Sequence, residues 1–145
     1  MLVTRQTDYA VRCVLYLARV KNQIASVGEI ARQMQIPKSF LAKILQRLVR
    51  EGIVESIRGM RGGFRLLKQS SEITLLEVFV AMQGVAPVNS CAIDKRRCRM
   101  SATCSVHPVW MEIRKEVERR LGTQTILNLA ESRRISCDDI LKQEG

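Results

Sequence analysis

The side chains with the clearest chemical potential lie in one short segment, residues 91–107 (CAIDKRRCRMSATCSVH). The segment contains three of the chain's five cysteines, Cys91, Cys98 and Cys104, together with its only histidine, His107. Thiolates are the usual protein ligands of iron–sulfur clusters, and three of them leave one coordination position open or filled by a weaker ligand. Such a centre is chemically vulnerable, which suits a sensor better than a structural site. We therefore interpret the segment as a candidate cluster-binding switch.

Zinc is the alternative ion for the same side chains, since three cysteines and one histidine can close a tetrahedral site. Structural zinc sites favour ligand pairs two to four residues apart. Here six residues separate Cys91 from Cys98, and five separate Cys98 from Cys104. A third interpretation, three ordinary buried thiols, is weakened because the segment lacks apolar periodicity. The spacing thus weighs against zinc, which stays open as the alternative.

The positive charge of the chain is concentrated in its first half. The whole sequence has a formal net charge of +10. Residues 1–70 hold 13 Lys and Arg against 4 Asp and Glu, a net of +9, whereas residues 71–145 hold 11 against 10, a net of +1. A basic half beside a nearly neutral half indicates a polyanion bound at one end, and nucleic acid is the usual candidate. The alternative is a solvated surface that only favours solubility.

Two helices joined by a short turn are predicted inside the basic half. Ser26 and Glu29 have the Ser-x-x-Glu spacing of a capping box, which opens a helix through about residue 35. Pro37 interrupts this helix and suits the first turn of the next one, over residues 38–51. Gly52 is the expected left-handed stop. Together the two helices match a helix-turn-helix.

The second of these helices separates into an apolar stripe and a polar face. The stripe is predicted to lie in the core and consists of Phe40, Leu41, Ile44, Leu45, Leu48 and Val49. The polar side is basic and carries amide and hydroxyl groups, as a helix that reads DNA in the major groove does. The residues expected to contact DNA from this helix are Lys38, Ser39, Lys43, Gln46 and Arg47.

A β-hairpin is predicted directly after this helix. Residues 53–57 and 64–67 have strand character, and the turn RGMRGG at 58–63 joins them. The glycines let the backbone approach a phosphate or lie in a minor groove, where Arg58 and Arg61 supply positive charge. An enzymatic phosphate-binding loop fails for want of the G-x-x-x-x-G-K-[ST] pattern and of a following helix. We therefore predict a winged helix-turn-helix in residues 1–84.

The helices around this unit follow from periodicity and capping signals. Residues 4–20 form a mostly buried helix in which Cys13 is a core residue. Thr74 and Glu77 form a second capping box, which opens a short helix that Gly84 closes. Residues 85–105 are predicted as an irregular, cysteine-rich loop. Its basic residues either offset the charge of thiolates and cluster or form a solvated loop near DNA phosphate, and they are Lys95, Arg96, Arg97 and Arg99.

A long helix and a short further helix are predicted in residues 106–130. Ser105 caps the long helix, and Pro108 falls in its first turn, where no backbone bond is lost. Mixed charge surrounds its narrow apolar seam, which consists of Val106, Val109, Trp110, Ile113, Val117 and Leu121. Such a seam suits pairing with another helix. We predict a homodimer through this helix, and a flexible tail over residues 131–145 that contains Cys137.

The composition predicts a cytoplasmic protein outside the membrane. No run approaches the ~18 apolar residues of a membrane span, and the N-terminus lacks the apolar core and cleavage site of a secretory signal. In a reducing cytoplasm, five cysteines are better interpreted as thiolates or ligands than as disulfides. The fold class that these patterns predict is mainly α with a small β-hairpin.

Taken together, the motifs resemble a known family. The opening TDYAVRCVLYLA, the stretch LVREGIVESIRGMRGGFRL and the cysteine triplet are similar to the Rrf-type winged-helix transcriptional regulators, with IscR-, NsrR- and RirA-like members. The resemblance spans roughly residues 1–130. It implies a homodimeric bacterial regulator, with residues 39–47 in the major groove and the 58–63 turn in the minor groove. It also implies that Cys91, Cys98 and Cys104 bind an iron–sulfur cluster, 2Fe–2S or 4Fe–4S in type.

The fourth cluster ligand and the cluster type stay open. The IscR- and NsrR-like members usually have five residues between successive cysteines, so the six between Cys91 and Cys98 are a departure from the family pattern. The resemblance offers two candidates for the fourth ligand. His107 stands where a histidine is a ligand in IscR-like members. Asp8, contributed from the partner subunit, stands where an aspartate ligates across the dimer in some NsrR-like members.

The leading hypothesis is a sequence-specific DNA-binding regulator, most simply a repressor. A cluster that senses nitric oxide, redox state or the supply of iron or clusters would control its DNA affinity. One alternative is a winged-helix regulator with a zinc or thiol switch, and another is an electron-transfer iron–sulfur protein that does not bind DNA. The chain lacks both a ferredoxin-like CxxCxxCxxxC run and a nucleotide-binding loop, so we do not expect an enzyme.

Overall fold

A computed structural model describes residues 3–20, 24–84 and 90–132. Within these ranges the chain forms a mainly helical fold with one antiparallel hairpin, which confirms the predicted fold class. The helices are α1 (Arg5–Arg19), α2 (Val27–Met34), α3 (Lys38–Arg50), α4 (Leu75–Gln83), α5 (Ser90–Ile93), α6 (His107–Gly122) and α7 (Ile126–Ser132). The strands β1 (Val54–Ile57) and β2 (Gly63–Leu66) lie between α3 and α4. Short 3-10 turns occur at Ser70–Glu72 and Lys95–Arg97.

Helices α2 and α3 form the predicted helix-turn-helix. The Ser26 hydroxyl accepts a hydrogen bond from the Glu29 amide at 3.2 Å, so the N-cap is present. The other half of the predicted capping box is absent, because the Glu29 carboxylate accepts from the Tyr16 hydroxyl at 2.6 Å instead. Gln35 ends α2 in left-handed conformation, with φ of 54°. Gly52, with φ of +74°, is the left-handed residue just after α3, as predicted.

The hairpin is a wing of two strands with a third segment bridged to its edge. Strand β1 pairs with β2 from Val54 opposite Leu66 to Ile57 opposite Gly63. Ala25 forms a further antiparallel bridge with Phe64, with N–O distances of 3.0 and 2.8 Å. A Cβ on Gly63 would lie only 2.4 Å from the Ala25 carbonyl oxygen. Glycine at 63 is therefore required by packing inside the chain, a reason that the sequence interpretation did not include.

The core joins the helix-turn-helix to α1, α4 and α7. Helix α3 contributes Leu41, Ile44, Leu45 and Leu48, each at most 2% exposed. Helix α1 contributes its predicted buried face, including Cys13 at 0% exposure. The prediction for two ends of the α3 stripe was wrong, because Phe40 and Val49 are 47% and 36% exposed. These two residues flank the four-residue stripe on the helix surface and are only partly buried.

Helix α7 belongs to this core rather than to a mobile end. Thr125 caps it, since its hydroxyl accepts from the Asn128 amide at 3.1 Å, and Ile126 is fully buried. The amide of Ile126 donates to the Ile73 carbonyl at 2.8 Å, and the Leu75 amide donates to the Gln124 carbonyl at 2.8 Å. These two bonds fasten the segment before α7 to the start of α4. Residues 133–145, which include Cys137 and most of the predicted tail, lie outside the described residues.

The cysteine segment is less irregular than predicted. Helix α5 and the 3-10 turn at Lys95–Arg97 lie inside the range that was expected to be a loop, while residues 85–89 lie outside the described residues. Helix α5 packs against α6. The guanidinium of Arg114 on α6 donates to the Ala92 carbonyl and pairs with Glu118 at 3.0 Å. This contact fixes the residue next to Cys91 to the long helix.

Helix α6 is the predicted long helix, but it begins later than expected. Its first internal bond runs from the Trp110 amide to the Val106 carbonyl at 3.1 Å. Ser105 is therefore too early in the chain to cap it, and Val106 takes that position without a side-chain bond. Pro108 lies in the first turn and Gly122 is the last helical residue, as predicted. No helix in the described ranges is both long and apolar enough to span a membrane.

Candidate functional site

The outward face of α3 carries most of the residues predicted to contact DNA. Lys38, Ser39, Lys43 and Gln46 are all exposed. Because the opposite face holds four buried aliphatic side chains, the rotation of α3 about its own axis is fixed by the core. The polar face therefore has a defined direction. Its donors and acceptors are of the kinds that reach base edges and phosphates.

Arg47 differs from the other predicted contacts because it already has a partner inside the chain. Its Nε donates to the Ala81 carbonyl of α4 at 2.9 Å. Helix α3 is thereby tied to α4 close to the polar face. The residue as a whole remains exposed. The sequence pattern carried no signal for this hydrogen bond, since Ala81 is 34 residues away.

Phe40 is a feature of this surface that sequence reasoning assigned to the core. It lies in the first turn of α3, one residue after Ser39, and is 47% exposed. An exposed aromatic ring at the start of a DNA-reading helix can contact the methyl group of thymine. The sequence signal that could have indicated its exposure was its position one residue before Leu41, where the buried stripe begins.

The wing presents two exposed arginines at its turn. Arg58 and Arg61 are exposed, and Met60 between them is fully exposed. The turn is closed by a hydrogen bond from the Gly62 amide to the Gly59 carbonyl at 3.0 Å. A Cβ at Gly62 would lie 2.3 Å from the Ile57 carbonyl oxygen, so the turn tolerates only glycine there. Both predicted wing residues are therefore held at the tip of a tight turn.

The three cysteines of residues 91–107 differ in their exposure. Cys91 is buried in α5 at 8% exposure, whereas Cys98 and Cys104 are half-buried. All three are free thiols. Backbone hydrogen bonds order the chain between them, with the Cys104 amide donating to the Met100 carbonyl at 2.8 Å and the His107 amide donating to the Cys104 carbonyl at 3.3 Å. The segment is thus a series of tight turns that ends at α6.

His107 and Cys98 line one cavity of about 500 Å³, beside the start of α6. His107 is 8% exposed, and its Nδ1 is buried without a hydrogen-bond partner among the described residues. Buried ring nitrogens normally have a partner, so this atom indicates a ligand or a rearranged neighbour. Cys104 is not among the residues that line this cavity.

The donor set fits an iron–sulfur cluster in its chemistry, but this arrangement does not gather it. Thiolates with one histidine are a known ligand combination for such clusters. Within the described ranges, however, no three side chains of His, Cys, Asp and Glu are grouped so that they could hold a metal ion. Asp8, the other predicted ligand, is exposed and pairs with Arg12 at 2.8 Å. Holding a cluster would therefore require the segment between Cys91 and Cys104 to close.

Two titratable groups near α2 and in the core have raised pKa values. Burial raises the pKa of the Cys13 thiol from 9.0 to about 12, which keeps this thiol neutral and chemically separate from the other cysteines. Burial, followed by the hydrogen bond to Glu29, raises the pKa of Tyr16 from 10.0 to about 12. Both groups are structural in this fold.

Comparisons with other proteins agree with this geometry. The family model described as "Rrf2: Iron-dependent Transcriptional regulator" matches residues 3–132. A protein of Aquifex aeolicus that carries the name of an HTH-type transcriptional regulator is 30% identical over 131 residues, covering 89% of this chain and 91% of that protein. Protein aau3 of Rhizobium meliloti is 47% identical over 78 residues, which cover 54% of this chain and 51% of that protein.

Solved structures share the fold. CymR, the global cysteine regulator of B. subtilis, superposes with a TM-score of 0.76 at 22% identity, covering 92% of this chain and 99% of that one. IscR of T. potens superposes with a TM-score of 0.70 at 20% identity, covering all of this chain and 89% of that one. The chain has a wing and a helix-turn-helix on this shared scaffold, and one family model matches almost its whole length. The chain belongs to the Rrf2 family, and it is a DNA-binding transcriptional regulator rather than an enzyme.

Proposed function

We propose that α3 reads base edges in the major groove while the turn of the wing contacts the adjacent minor groove. The observation that carries this proposal is the pairing of a core-anchored helix with an outward face of Lys38, Ser39, Lys43 and Gln46. Residues near the start of a recognition helix contact base edges in helix-turn-helix proteins. We assign sequence reading to this face, and Phe40 extends it along the first turn of α3.

Arg58 and Arg61 have a different role in this proposal. Their side chains are exposed at the tip of a tight turn and carry positive charge. They contribute electrostatic attraction to the phosphate backbone and to the minor groove. Arg47 positions α3 through its bond to Ala81 and offers its remaining nitrogens to phosphate.

Substitutions at the two surfaces test this division of roles. Arg61→Ala should weaken binding to all DNA sequences and lower the salt slope of binding by about one ion. Lys43→Ala should change the preferred sequence in a selection from random DNA. Arg65→Gln is the matched control, because Arg65 lies on β2 and is paired with Glu55 away from the turn. If Arg61→Ala left the salt slope at the wild-type value, the wing assignment would be wrong.

The protein acts as a homodimer in this proposal, with α6 as the pairing helix. Only His107 among the 16 residues of α6 is buried. Val106, Val109 and Ile113 are 45%, 48% and 39% exposed, and with Trp110 and Val117 they follow helical spacing along one side. An apolar stripe of this kind supports helix pairing. The helix is about 24 Å long. Pairing along this length would fix the separation of the two recognition helices in the dimer.

A bound iron–sulfur cluster controls DNA affinity in the finer part of the proposal. Cys91, Cys98 and Cys104 would hold it, with His107 or Asp8 of the partner subunit as the fourth ligand. The cluster would supply a centre that reacts with nitric oxide or oxidants or responds to the supply of iron. The support is the donor set, the buried His107 Nδ1 beside Cys98, and the basic residues that offset negative charge around them.

The link from this segment to DNA runs through α6. Arg114 on α6 contacts the carbonyl of Ala92, next to Cys91, so closing the cysteine segment around a cluster would shift α5 relative to the pairing helix. A change in that packing alters the separation of the recognition helices, which must match half-sites about 34 Å apart. Repression is the simplest outcome, since a dimer on an operator excludes other proteins. The place of action is the cytoplasm, where the DNA is.

A zinc or thiol switch is the second candidate for the same site. The absence, within the described ranges, of three donors grouped to hold a metal favours the thiol switch, whereas the zinc switch keeps only the support of its donor types. Metal and sulfide analysis of protein purified without oxygen separates the candidates. Iron with equimolar sulfide supports the cluster, and zinc without sulfide supports the zinc site. A protein that contains neither metal supports the thiol switch. A protein that undergoes redox cycling with a partner enzyme but binds no DNA would instead favour electron transfer.

A further inference from the structure

The cavity at the start of α6 has the properties of a binding site for a small anion. Three basic residues line it, Lys95, Arg96 and Arg99, together with Cys98, Ser101 and His107. No acidic side chain is among the lining residues. Its volume of about 500 Å³ is in the range of small-molecule sites. The wall therefore combines positive charge with one thiol.

Two of the three basic residues are not neutralised by a neighbour. Asp94 lies beside the cavity and pairs with Arg96 at 3.2 Å. No carboxylate in the described ranges lies within ion-pair distance of Lys95 or Arg99. These two charges attract an anion from solution, and salt screens the attraction over about 10 Å at 0.1 M ionic strength.

The unpartnered histidine nitrogen is an independent sign of a missing ligand. Nδ1 of His107 is buried and has no hydrogen-bond partner in the described part of the chain, although the ring lines the cavity. Leaving such an atom unsatisfied costs free energy that a ligand group can recover. A polar anion with carboxylate and amide groups can both pair with the basic residues and hydrogen-bond to this nitrogen.

Cys98 is held at the cavity wall by its backbone. The Ser101 hydroxyl donates to the Cys98 carbonyl at 2.9 Å, and the Cys98 amide donates to the Lys95 carbonyl at 3.4 Å. The thiol is half-buried, unlike that of Cys13, which is fully buried, and that of Cys91, which is 8% exposed. Cys98 is therefore the thiol that an anion in this cavity would meet.

We propose that, in the cluster-free protein, Cys98 is a site of mixed-disulfide formation with small anionic disulfides. The Cys98 thiol gives its proton to solvent and its sulfur attacks one sulfur of the bound disulfide. A new sulfur–sulfur bond forms, the original one breaks, and the second half leaves as a thiolate that takes a proton from solvent. Cys98 is oxidised and the small disulfide is reduced. The inference rests on the proposed function only in using the same cysteine as a cluster ligand.

Three disulfides of different charge test the proposal on the reduced, metal-free, full-length chain. Oxidised glutathione is anionic, hydroxyethyl disulfide is neutral and cystamine is cationic. Mass spectrometry of digested protein measures the modification rate at each cysteine. We expect Cys98 to react with oxidised glutathione about tenfold faster than with cystamine at low ionic strength, after correction for the rates with a free thiol. The preference should shrink as salt is added.

Substitutions separate the cavity from general positive charge. Lys95→Gln combined with Arg99→Gln should remove the preference for the anionic probe, measured as the ratio of the rate with oxidised glutathione to the rate with hydroxyethyl disulfide in the same variant. Lys115→Gln combined with Arg120→Gln is the matched control, since both residues are exposed on α6 away from the cavity. His107→Phe should slow only the reaction with oxidised glutathione.

Several outcomes would overturn the proposal. One is equal rates with anionic and cationic probes, and another is preferential modification at Cys104. Formation of an internal Cys98–Cys104 disulfide without retention of glutathione would also overturn it. None of these readouts uses DNA or iron. A protein that never binds a cluster can still show the predicted selectivity, and a protein that binds one can lack it, so the two proposals fail separately.

Discussion

Phe40 places an exposed apolar side chain on the first turn of α3, within the proposed DNA-reading face. The ring is 47% exposed in the first turn of a helix whose polar face is directed to solvent. Its neighbours on the exposed surface, Ser39 and Lys43, have hydrogen-bonding groups, which the ring lacks. The contact that suits it in a major groove is the methyl group of thymine.

If Phe40 contacts a thymine methyl group, removing either member of that contact should weaken specific binding. Phe40→Ala should weaken binding to a selected operator by about 1–2 kcal/mol and leave non-specific binding unchanged. Replacing a contacted thymine by uracil should cost the wild-type protein about 0.8 kcal/mol and cost the variant nothing. Fluorescence anisotropy measures both. Val49→Ala, at the other exposed end of the stripe, is the control. Uracil penalties of equal size in wild type and Phe40→Ala would exclude the contact.

Cys13 and Tyr16 predict how stability depends on alkaline pH. Both pKa values are raised to about 12 in the folded chain, from 9.0 and 10.0. A group whose folded pKa is raised stabilises the fold fully below its unfolded pKa, and this contribution is lost as pH rises through the folded value. The free energy of unfolding should therefore fall between about pH 9 and about pH 12.

A double variant tests whether Cys13 and Tyr16 cause this loss of stability at alkaline pH. Cys13→Ala combined with Tyr16→Phe lowers stability at all pH values, because it leaves a small void and removes the hydrogen bond to Glu29. The slope of unfolding free energy against pH above about pH 9 should be shallower in this variant than in wild type. Urea titrations at a series of pH values measure the slope. An unchanged slope would show that neither group titrates as described.

Among the elements, those with local signals were predictable and those that depend on distant contacts were not. Ser26 and Thr74 accept from the amides three residues on, at 3.2 and 3.1 Å, as their sequence spacing predicted. The glutamates of both capping boxes have other partners, Tyr16 for Glu29 and Lys68 for Glu77. These partners come from α1 and from the segment after β2, so tertiary packing decided where the carboxylates lie.

Distant contacts also explain why α6 starts later than predicted and why the cysteine segment contains a short helix. Ser105 is a good N-cap by type, but the turns between Cys98 and Cys104 place the first helical bond at Val106. Helix α5 is only four residues long, too short for hydrophobic periodicity to show. Its contact with α6 through Arg114 and Ala92 joins residues 22 positions apart. Hydrophobic periodicity indicates which face of a single helix or strand is buried, and it does not indicate which other element packs there.

Alanine substitutions at two glycines distinguish a steric effect on stability from an effect of backbone flexibility. Gly63→Ala places a Cβ 2.4 Å from the Ala25 carbonyl oxygen, which should destabilise the fold by about 2–3 kcal/mol and shift the wing. Gly28→Ala is the matched control in α2, because nothing lies within 4 Å of its Cβ position. That change should stabilise by roughly 0.4–1 kcal/mol. Urea unfolding measures both, and equal effects of the two substitutions would contradict the packing argument.

For the whole molecule, the exposed side of α6 is the surface that the proposed homodimer would bury. The stripe of Val106, Val109 and Ile113 is the apolar surface that the fold leaves uncovered on its longest helix. Burying it against a second copy would place two recognition helices on one side of a twofold assembly. The apolar stripe itself was predictable because it depends on the periodicity of a single helix, while its pairing with a second copy stays a prediction.

A charge in the stripe should separate the subunits. Ile113→Glu should raise the dimer dissociation constant by about 100-fold or more, because the carboxylate would be buried without a partner. Lys115→Glu introduces the same group on the charged side of α6 and should leave the dimer intact. Analytical ultracentrifugation measures both variants. A variant at Ile113 that remains dimeric at wild-type concentrations would place the interface elsewhere.

The candidate metal donors are visible in the sequence as a set, but their arrangement in space is not. The types and spacing of Cys91, Cys98, Cys104 and His107 are visible in the sequence. Their relative positions depend on turns at Lys95–Arg97 and 98–104, and these turns leave the donors apart in the described fold. A segment that is separate in one state and closed around a cluster in another is the bistable element that a switch requires.

The most direct test compares operator affinity in two states of one preparation. Protein purified without oxygen is characterised by its absorption spectrum and its iron and sulfide content, and its affinity for a selected operator is measured before and after cluster removal. We predict a coloured, iron- and sulfide-containing protein whose affinity changes about tenfold or more when the cluster is removed. A colourless, iron-free protein with full operator affinity, unchanged after reconstitution with iron and sulfide, would contradict the account.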